Sequence, residues 1–335
     1  MMPSVRGMQP EQLLQRVLPV QLATLVRQLP KGASNYVFEL KFDGYRILAV
    51  KAGRGVRLFS RAGQDWTAEF EPIAAAIRGL AGDELVVDGE ACALDARGVP
   101  RFQLLQNRLG HPPRLAYFVF DLLWEGGDDL RPLPLEQRRD RLTRLTRRLP
   151  DGGLITPSSA LSGDPEALLR AACGSGLEGI IAKEKGSPYA GGRRPTWLKI
   201  KCTLGQEFAI VGYLPLLGTR RGEVGSLLVA LKEGDGRFHY AGKVGTGFTN
   251  AERRRLGKLL ETDHVDAPPV VGAPRLGGIA RWARPRYVAQ VEFTEWTEGG
   301  HARHPSFHGL RDDKTPDECV RELAPRTAGR PPPSP

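Results

Sequence analysis

Apolar residues recur along the chain in two spacings, every second residue in short runs and every three or four residues in longer ones. The first spacing is typical of strands and the second of amphipathic helices. Before residue 203, strands are predicted at 37–40, 45–51, 56–60, 84–94, 115–124, 179–183 and 196–201. Helices are predicted in the same part at 11–18, 70–80, 135–149 and 165–172. This part of the chain therefore has an α+β pattern.

The pattern changes after Cys202, where short strands follow one another between glycine turns. Strands are predicted at 208–214, 224–231, 237–244 and 287–296, and one helix at 250–260 has its cap at Thr249 or Asn250. Several short strands with one helix suit a small Greek-key barrel such as an OB-fold. The proline-rich residues 324–335 are predicted to be a disordered tail.

Composition and charge restrict the class of protein. With 335 residues the chain is long enough for two domains, and its net charge of +10 favours polyanionic partners, either nucleic acid or a membrane surface. We expect no signal peptide and no membrane span, because no apolar stretch is long enough for either. The four cysteines contain no Cys-x-x-Cys pair, so we expect isolated reduced thiols in a cytosolic protein.

The segment ELKFDGYR (39–46) places Lys41 directly after a predicted strand. A lysine amine attacks phosphorus only in its neutral form, so its pKa must be lowered by burial or by neighbouring cations. The candidate cations for such a site are Arg46, Lys183, Lys199 and Lys201. In a second interpretation Lys41 is an ordinary turn residue, and residues 43–44 (DG) form a hairpin turn.

Four further segments follow in order: DGE (88–90), YFVFD (117–121), EGIIAK (178–183) and WLKIK (197–201). With the lysine segment they resemble, in order and spacing, the motifs of the covalent nucleotidyltransferases, which comprise ATP-dependent DNA ligases, RNA ligases and mRNA capping enzymes. The whole set in one order is a much stronger signal than any single motif, because the probability of a chance match falls with each further motif.

Flanking segments narrow the resemblance to the bacterial end-joining type of ATP-dependent DNA ligase. These segments are SRAGQDW (60–66), RHPSF (303–307) and LRDDK (310–314). Capping enzymes and RNA ligases do not usually carry them, and an NAD-dependent ligase would need a nicotinamide-binding domain and zinc cysteines. The resemblance implies an adenylation domain with antiparallel sheets at 1–203, then an OB-fold domain at 204–323.

The resemblance also implies a reaction in three steps. Lys41 attacks ATP and releases pyrophosphate, AMP passes to the 5′-phosphate of a nick, and the 3′-hydroxyl displaces AMP. ATP is then a substrate, and Mg²⁺ or Mn²⁺ is the cofactor. The implied partners are nicked or broken double-stranded DNA and a Ku-like end-binding protein, and the implied state is a monomer in the bacterial cytosol or nucleoid. Since the residues before Lys41 leave no room for a large DNA-clamping domain, we expect a minimal ligase.

Roles follow from the resemblance residue by residue. Lys41 is the nucleophile that takes AMP. Arg46 and Arg61 hold the nucleotide or the 5′-phosphate of the nick. Glu39 belongs to the matched pattern and contacts the base, through its backbone at least. Phe120 stacks on adenine.

The remaining roles concern charge around the phosphates. Glu90 contacts the ribose, and Glu90 and Glu178 supply the hard oxygen ligands that Mg²⁺ prefers. Several fixed cations stabilise the charge that develops on the α-phosphate and the departing pyrophosphate. Those around the α-phosphate are Lys183, Lys199 and Lys201. Arg311 and Lys314 match the family's last motif and swing onto the β- and γ-phosphates during the first step.

Several alternatives stay open. Phe118 lies on the same predicted strand face as Phe120 and could take over its stacking role. The arginine rows 138–148 and 253–255 either track phosphates or are solvated helix faces, and we expect the first row to be solvated. The chain could be an RNA ligase, a GTP-using capping enzyme or an inert nucleic-acid-binding protein. One intact set of residues argues against inertness, because a mere binder needs no carboxylates beside phosphates. The set comprises Lys41, Glu90, Glu178, Lys199 and Lys201.

Overall fold

The computed structural model of the chain describes residues 9–106, 114–150, 152–202, 204–216, 218, 222–276, 279–297 and 299–322. They form two compact units, the first ending at Cys202 and the second at Glu322. None of the helices in these ranges is long and apolar enough to cross a membrane.

The first unit contains ten strands, five α-helices and one 3₁₀ helix (Ala33–Asn35) within its described residues. Its strands are β1 (Gln21–Leu25), β2 (Tyr36–Lys41), β3 (Tyr45–Ala52), β4 (Gly55–Ser60), β5 (Glu84–Leu94), β6 (Arg114–Glu125), β7 (Asp128–Asp129), β8 (Ile155–Pro157), β9 (Gly179–Glu184) and β10 (Gly192–Lys201). Its helices are α1 (Pro10–Val17), α2 (Glu71–Arg78), α3 (Phe102–Gln106), α4 (Leu135–Thr146) and α5 (Pro165–Gly174).

The first sheet has the strand order β1-β10-β9-β2 and is antiparallel except where β1 pairs with β10. Side chains alternate along each strand, and directly paired residues share a face. One face is apolar and packs around Phe38, Ile180 and Ile200. The other face, which we call the lysine face, carries Glu39, Lys41, Lys183, Trp197, Lys199 and Lys201. The alternation in ELK and WLKIK thus separates a buried face from a charged one.

The second sheet has the order β4-β3-β5-β6-β7, with β8 beside β6. One of its faces packs against α2 and α4 around Ile47 and Tyr117. Its other face contributes Leu48 and Phe120 to a second cluster, which also contains Trp197 of the lysine face. The lysine face is therefore directed at the second sheet, and its charged side chains lie between the two sheets.

The second unit contains a six-stranded antiparallel sheet and a separate two-stranded sheet formed by its sixth and seventh strands. Its strands are β11 (Leu204–Pro215), β12 (Val224–Lys232), β13 (Phe238–Val244), β14 (His264–Val265), β15 (Arg281–Phe293), β16 (Glu295–Trp296), β17 (Ala302–Arg303) and β18 (Ser306–Leu310). The main sheet has the order β13-β12-β11-β15-β14, and β18 pairs with β15. Helix α6 (Asn250–Glu261) begins after Thr249, whose hydroxyl accepts a hydrogen bond from the Glu252 backbone in a capping box. The hydrophobic core of the second unit contains Phe208 and Phe307.

Most predicted elements are confirmed, with ends that move by a few residues. The predicted strand at 287–296 is wrong in its extent, because β15 begins at Arg281 and the chain bends at Thr294 before β16. Strands β1 and β18 were not predicted, since neither carries a clear alternation of apolar and polar residues. Both become strands through partners that are distant in sequence, β10 and β15.

The prediction of isolated reduced thiols is wrong for two of the four cysteines. Cys173 and Cys202 form a disulfide with their Cα atoms 5.4 Å apart, while Cys92 and Cys319 are buried free thiols. The pairing arises because the Cys202 amide donates to the Glu178 carbonyl at 3.0 Å, at the point where the chain arrives from α5. Sequence spacing could not show this proximity, because it depends on how β9 and β10 pair.

Candidate active site

Lys41 lies at the end of β2, in a row of paired backbone positions with Gly179 on β9 and Lys201 on β10. Its Nζ donates a hydrogen bond to Oε2 of Glu178, and Nζ of Lys201 lies 3.2 Å from Oε1 of the same carboxylate. The side chains of Lys41 and Glu178 are only 21% and 17% exposed. Two lysines therefore share one carboxylate at the edge of the lysine face.

The charge state of Glu178 follows from these contacts. Burial on its own raises the pKa of Glu178, but the charges of Lys41 and Lys201 outweigh burial and lower this pKa from 4.5 to about 2. The carboxylate is therefore ionised at neutral pH. Because the folded pKa is depressed, the ion pairs stabilise the fold above about pH 4.5, and this stabilisation is lost as the pH falls towards 2.

Two glycines allow the strands to meet at this site. Gly179, directly after Glu178, has φ of +147°, and a Cβ atom there would lie 2.9 Å from the Cα of Lys201. Gly44 lies within the lysine segment, three residues after Lys41, and a Cβ there would lie 2.8 Å from Sγ of the buried Cys92. Only glycine permits such close approaches. Gly44 therefore lets the chain after Lys41 approach β5, and Gly179 lets the chain after Glu178 approach β10.

Glu39 lies two residues before Lys41 on the same face and is 2% exposed. Its carboxylate accepts hydrogen bonds from Nη1 of Arg139, from Oγ of Ser158 at 2.9 Å and from Nζ of Lys183 at 3.0 Å. Burial lowers the pKa of Lys183, and the charge of Glu39 opposes this. Lys183 is thus bonded to Glu39, and it also donates to the carbonyl of Phe120 at 3.2 Å.

Arg46 faces the lysine face from β3. Its Nε and Nη2 atoms donate to the two oxygens of the fully buried Asp88, both at 2.6 Å, and the Tyr189 hydroxyl donates to the same carboxylate at 2.7 Å. Burial on its own lowers the pKa of Arg46, but Asp88 and Tyr189 outweigh burial and raise it. The guanidinium lies 4.8 Å from the ring centre of Phe120. The cationic groups of Arg46 and Lys183 are therefore bonded to Asp88 and Glu39, and the carboxylate that Lys41 contacts is shared with Lys201.

Glu90 and the two candidate aromatic residues lie on the second sheet. Glu90 is paired in register with Arg46 on one side and Phe118 on the other, so the three side chains share a face. The ring of Phe118 stacks on Phe42 with 4.0 Å between ring centres. Phe120 is 9% exposed, and Nζ of Lys183 lies 4.5 Å from its ring centre. Phe120 is thus more deeply buried than the half-buried Phe118.

The other predicted residues are placed as follows. Arg61 follows Ser60 at the end of β4, next to the strand of Arg46, and Lys199 lies between Trp197 and Lys201 along the lysine face. In the second unit, Arg311 donates twice to the buried Asp313, each time at 2.7 Å. Nζ of Lys314 donates to Glu207. Burial raises the pKa of Asp313, but Arg311 outweighs burial and lowers it.

The prediction that the arginine row 138–148 is solvated is wrong for one residue. We expected a solvated face, which holds for Arg144, Arg147 and Arg148, but Arg138 is fully buried and donates to Asp121 at 2.8 and 3.0 Å. The sequence contains a signal for this, since Arg138 is three residues after Leu135 and four before Leu142 on the buried stripe. Other residues that contact the site and were missed are Asp88, Arg139, Ser158 and Tyr189.

A lysine at a strand end beside an ionised carboxylate, with further cations on the same sheet face and a barrel unit after it, is the architecture of a nucleotidyltransferase. The family model described as ATP dependent DNA ligase domain matches residues 19–201, and ATP dependent DNA ligase C terminal region matches residues 220–314. The chain belongs to the family of ATP-dependent DNA ligases. The predicted fold class, an α+β adenylation domain with antiparallel sheets and an OB-fold domain, is confirmed, and so is the predicted class of enzyme.

Individual relatives agree with the family. The chain is 42% identical over 318 residues to the multifunctional non-homologous end joining protein LigD of Pseudomonas aeruginosa, covering 93% of this chain and 37% of that protein. It is 39% identical over 294 residues to the corresponding Mycobacterium tuberculosis protein, covering 87% and 38%. A structure of mycobacterial DNA ligase D complexed with ATP and MES matches with a TM-score of 0.62 at 37% identity, over 90% of this chain and 98% of that one. The chain thus spans little more than a third of the length of these curated relatives.

Proposed function

We propose that this ATP-dependent DNA ligase seals nicks and broken ends of double-stranded DNA in end joining, with AMP carried on Lys41. The observation that supports this proposal most directly is the bridge from Lys41 through Glu178 to Lys201 at the edge of the lysine face. Two relatives that share 42% and 39% identity with the chain are named for non-homologous end joining.

The proposed first step uses the groups on the lysine face. Nζ of Lys41 leaves Glu178 and gives up its proton to solvent, because the ionised carboxylate of Glu178 is a weak base. The neutral amine then attacks the α-phosphorus of ATP and expels pyrophosphate. Lys199 and Lys201 then stabilise negative charge on the α-phosphate, and Arg46 and Arg61 hold the nucleotide and later the 5′-phosphate of the nick.

A divalent cation, Mg²⁺ or Mn²⁺, belongs to this proposal. Glu178 fits such an ion because its carboxylate is ionised, and the oxygen that bonds Lys41 becomes available once Lys41 leaves it to attack ATP. Glu90, on the facing sheet, would be the second carboxylate to hold the ion, because carboxylate oxygens are the ligands that Mg²⁺ prefers. When bound, the ion neutralises charge on the transferring phosphate. Glu90 also contacts the ribose in this proposal.

For the adenine base we propose contacts from Glu39 and from an aromatic platform. Phe120 is the platform in this proposal, and Phe118, on the same face as Glu90, is the alternative. We propose further that the enzyme works as a monomer in the bacterial cytosol, at the nucleoid. A Ku-like end-binding protein delivers the DNA ends to it.

A sealing assay tests this function. The chain is incubated with Mg²⁺, with either ATP or GTP, and with one of two substrates. The substrates are a nicked DNA duplex and a nicked RNA duplex, each carrying a labelled 5′-phosphate. We expect sealing of the DNA nick with ATP and no sealing with GTP. Preferential sealing of RNA, or use of GTP, would favour the RNA ligase or capping-enzyme alternative.

Arg311→Ala and Lys314→Ala are expected to slow self-adenylation by about 10- to 100-fold and to slow sealing of a pre-adenylated nick much less. The reason is that their proposed ligands, the β- and γ-phosphates, are present only in the first step. Single-turnover rates of the two steps measure this. Lys258→Ala, at an exposed site on α6, is the control. Equal losses in both steps would contradict the assignment.

Binding to nicked DNA is expected to be weak and strongly dependent on salt. The chain has a net charge of +10, and β15 presents Arg281 and Arg284 as exposed residues. Each neutralised phosphate contributes about −0.9 to the slope of log affinity against log salt, so we expect a slope of about −3 or steeper. The measurement is fluorescence anisotropy of a nicked duplex across a salt series. Tight binding that hardly changes up to physiological salt would show that base or shape recognition dominates, and would remove the reason to expect a recruiting partner.

A further inference from the structure

The buried carboxylate of Glu39 is held from three directions by groups that come from distant parts of the chain. Arg139 belongs to α4, Ser158 follows β8, and Lys183 belongs to β9. Arg139 also donates to the carbonyl of Ser158 at 3.2 Å, so the arginine fixes the loop as well as the carboxylate. Such convergence around one side chain exceeds what is needed to neutralise one negative charge.

The neighbouring residue on α4 anchors the opposite sheet. Arg138 bonds both oxygens of Asp121, directly after Phe120 on β6. Lys183 lies between these two anchors, because it donates to Glu39 and to the Phe120 carbonyl. The start of α4 therefore fixes the spacing between the strand that carries Glu39 and Lys41 and the strand that carries the aromatic residues.

The remaining acceptor capacity of Glu39 lies on one oxygen. Oε2 accepts from Ser158 and Lys183, whereas Oε1 accepts only from Arg139 among the contacts described. A carboxylate has about four acceptor positions, so Oε1 retains one. Glu39 is two residues from Lys41 on the same face, which places this position on the side of the sheet where the nucleotide binds in the proposed function.

We infer that Arg139 is a positioning residue for base selection, which together with Ser158 and Lys183 holds Glu39 so that Oε1 accepts a hydrogen bond from the 6-amino group of adenine. This inference rests on the proposed function. It makes Lys183 a hydrogen-bond donor to Glu39 rather than a cation that contacts the α-phosphate. The Lys183 side chain is 3% exposed and donates hydrogen bonds to Glu39 at 3.0 Å and to the Phe120 carbonyl at 3.2 Å, which leaves it little room to reach a phosphate.

The same geometry disfavours bases with a carbonyl at position 6. Guanine and hypoxanthine would place an oxygen against the fixed carboxylate, and the acceptor of Glu39 would lose its partner. One hydrogen bond to a charged acceptor corresponds to a preference of about 10- to 100-fold for ATP over inosine triphosphate.

The experiment compares self-adenylation with ATP and with inosine triphosphate in the full chain. We expect Arg139→Met to reduce the ATP preference by about tenfold, mainly by raising KM for ATP, and Arg139→Lys to have an intermediate effect because it keeps one donor. Ser158→Ala removes a second donor with little change in volume, so it tests the inference even if Arg139→Met does not fold. In Glu39→Ala, adding Arg139→Met should cause no further loss of preference, because Arg139 acts through Glu39.

Arg144→Met is the matched control, an exposed arginine on the same helix, and it should keep the wild-type preference. An unchanged ATP preference in Arg139→Lys and Ser158→Ala enzymes that still take up AMP would overturn the inference and leave the proposed function intact. A wild-type chain that takes up no AMP at all would instead overturn the proposed function. Lys183→Met separates the two assignments of Lys183: a lost ATP preference supports the contact with Glu39, and a slower maximal rate with unchanged preference contradicts it.

Discussion

Replacing Lys41 by alanine is expected to abolish self-adenylation, with a loss of at least about 1000-fold, because the variant lacks the amine that forms the bond to the α-phosphorus in the proposed function. Lys41→Arg should be equally inactive, since a guanidinium stays protonated and is a poor nucleophile. The measurement is transfer of label from α-labelled ATP to the protein. ATP-dependent sealing of a nick should be lost to the same degree.

The Lys41→Ala variant should still seal a nick that already carries AMP on its 5′-phosphate, because the last step does not use the lysine amine. Lys31→Ala, at an exposed position in the first unit, is the control and should leave both reactions unchanged. Retained labelling of Lys41→Ala would show that another residue carries AMP. Loss of sealing of the pre-adenylated nick would show a general defect instead.

Glu178→Gln is expected to slow self-adenylation by about 100-fold or more. Glutamine keeps the size of the side chain but cannot carry the charge that bridges Lys41 and Lys201, or that a divalent cation would need. Wild-type enzyme has the full charge at every pH near neutrality, because the pKa of Glu178 is about 2. Glutamine does not ionise, so raising the pH should not rescue the variant. Rates measured across a Mg²⁺ series from pH 6 to 9 test this.

Glu178→Asp should recover part of the activity, because it restores the charge at a shorter reach. Glu166→Gln is the control, since the Glu166 side chain on α5 is 73% exposed. A Glu178→Gln enzyme with wild-type rates would contradict a role for this charge. Full activity of the wild type in EDTA would contradict the proposed cation.

The strands that carry the site could be predicted from the sequence because each is either an alternating segment or a compact apolar run. In β2 and β10 apolar residues alternate with lysine or glutamate, whereas β9 is an apolar run that ends in Lys183 and Glu184. The structure places Glu39, Lys183 and Lys201 on one face. The motif glycines also carried a local signal, since Gly44 and Gly179 lie where a Cβ atom would collide with a neighbouring strand. Local pattern thus determined which residues lie at the site.

The partners of these residues could not be predicted, because they depend on contacts between distant segments. Arg139 and Glu39 are 100 residues apart, and Arg46 and Asp88 are 42 apart on neighbouring strands. A charged residue in a sequence pattern does not reveal whether it faces a phosphate or an internal carboxylate. For Arg46 and Lys183 the structure shows internal carboxylates, so part of their charge orders the site itself.

The identity of the residue that carries AMP is the central claim, and peptide mapping tests it most directly. The chain is incubated with ATP and Mg²⁺, digested without acid and examined by mass spectrometry. We predict one adenylyl group per chain, on the peptide that contains Lys41, and its removal when pyrophosphate is added back. An adenylyl group on Lys183, Lys199 or Lys201, or a guanylyl group taken from GTP, would contradict the account.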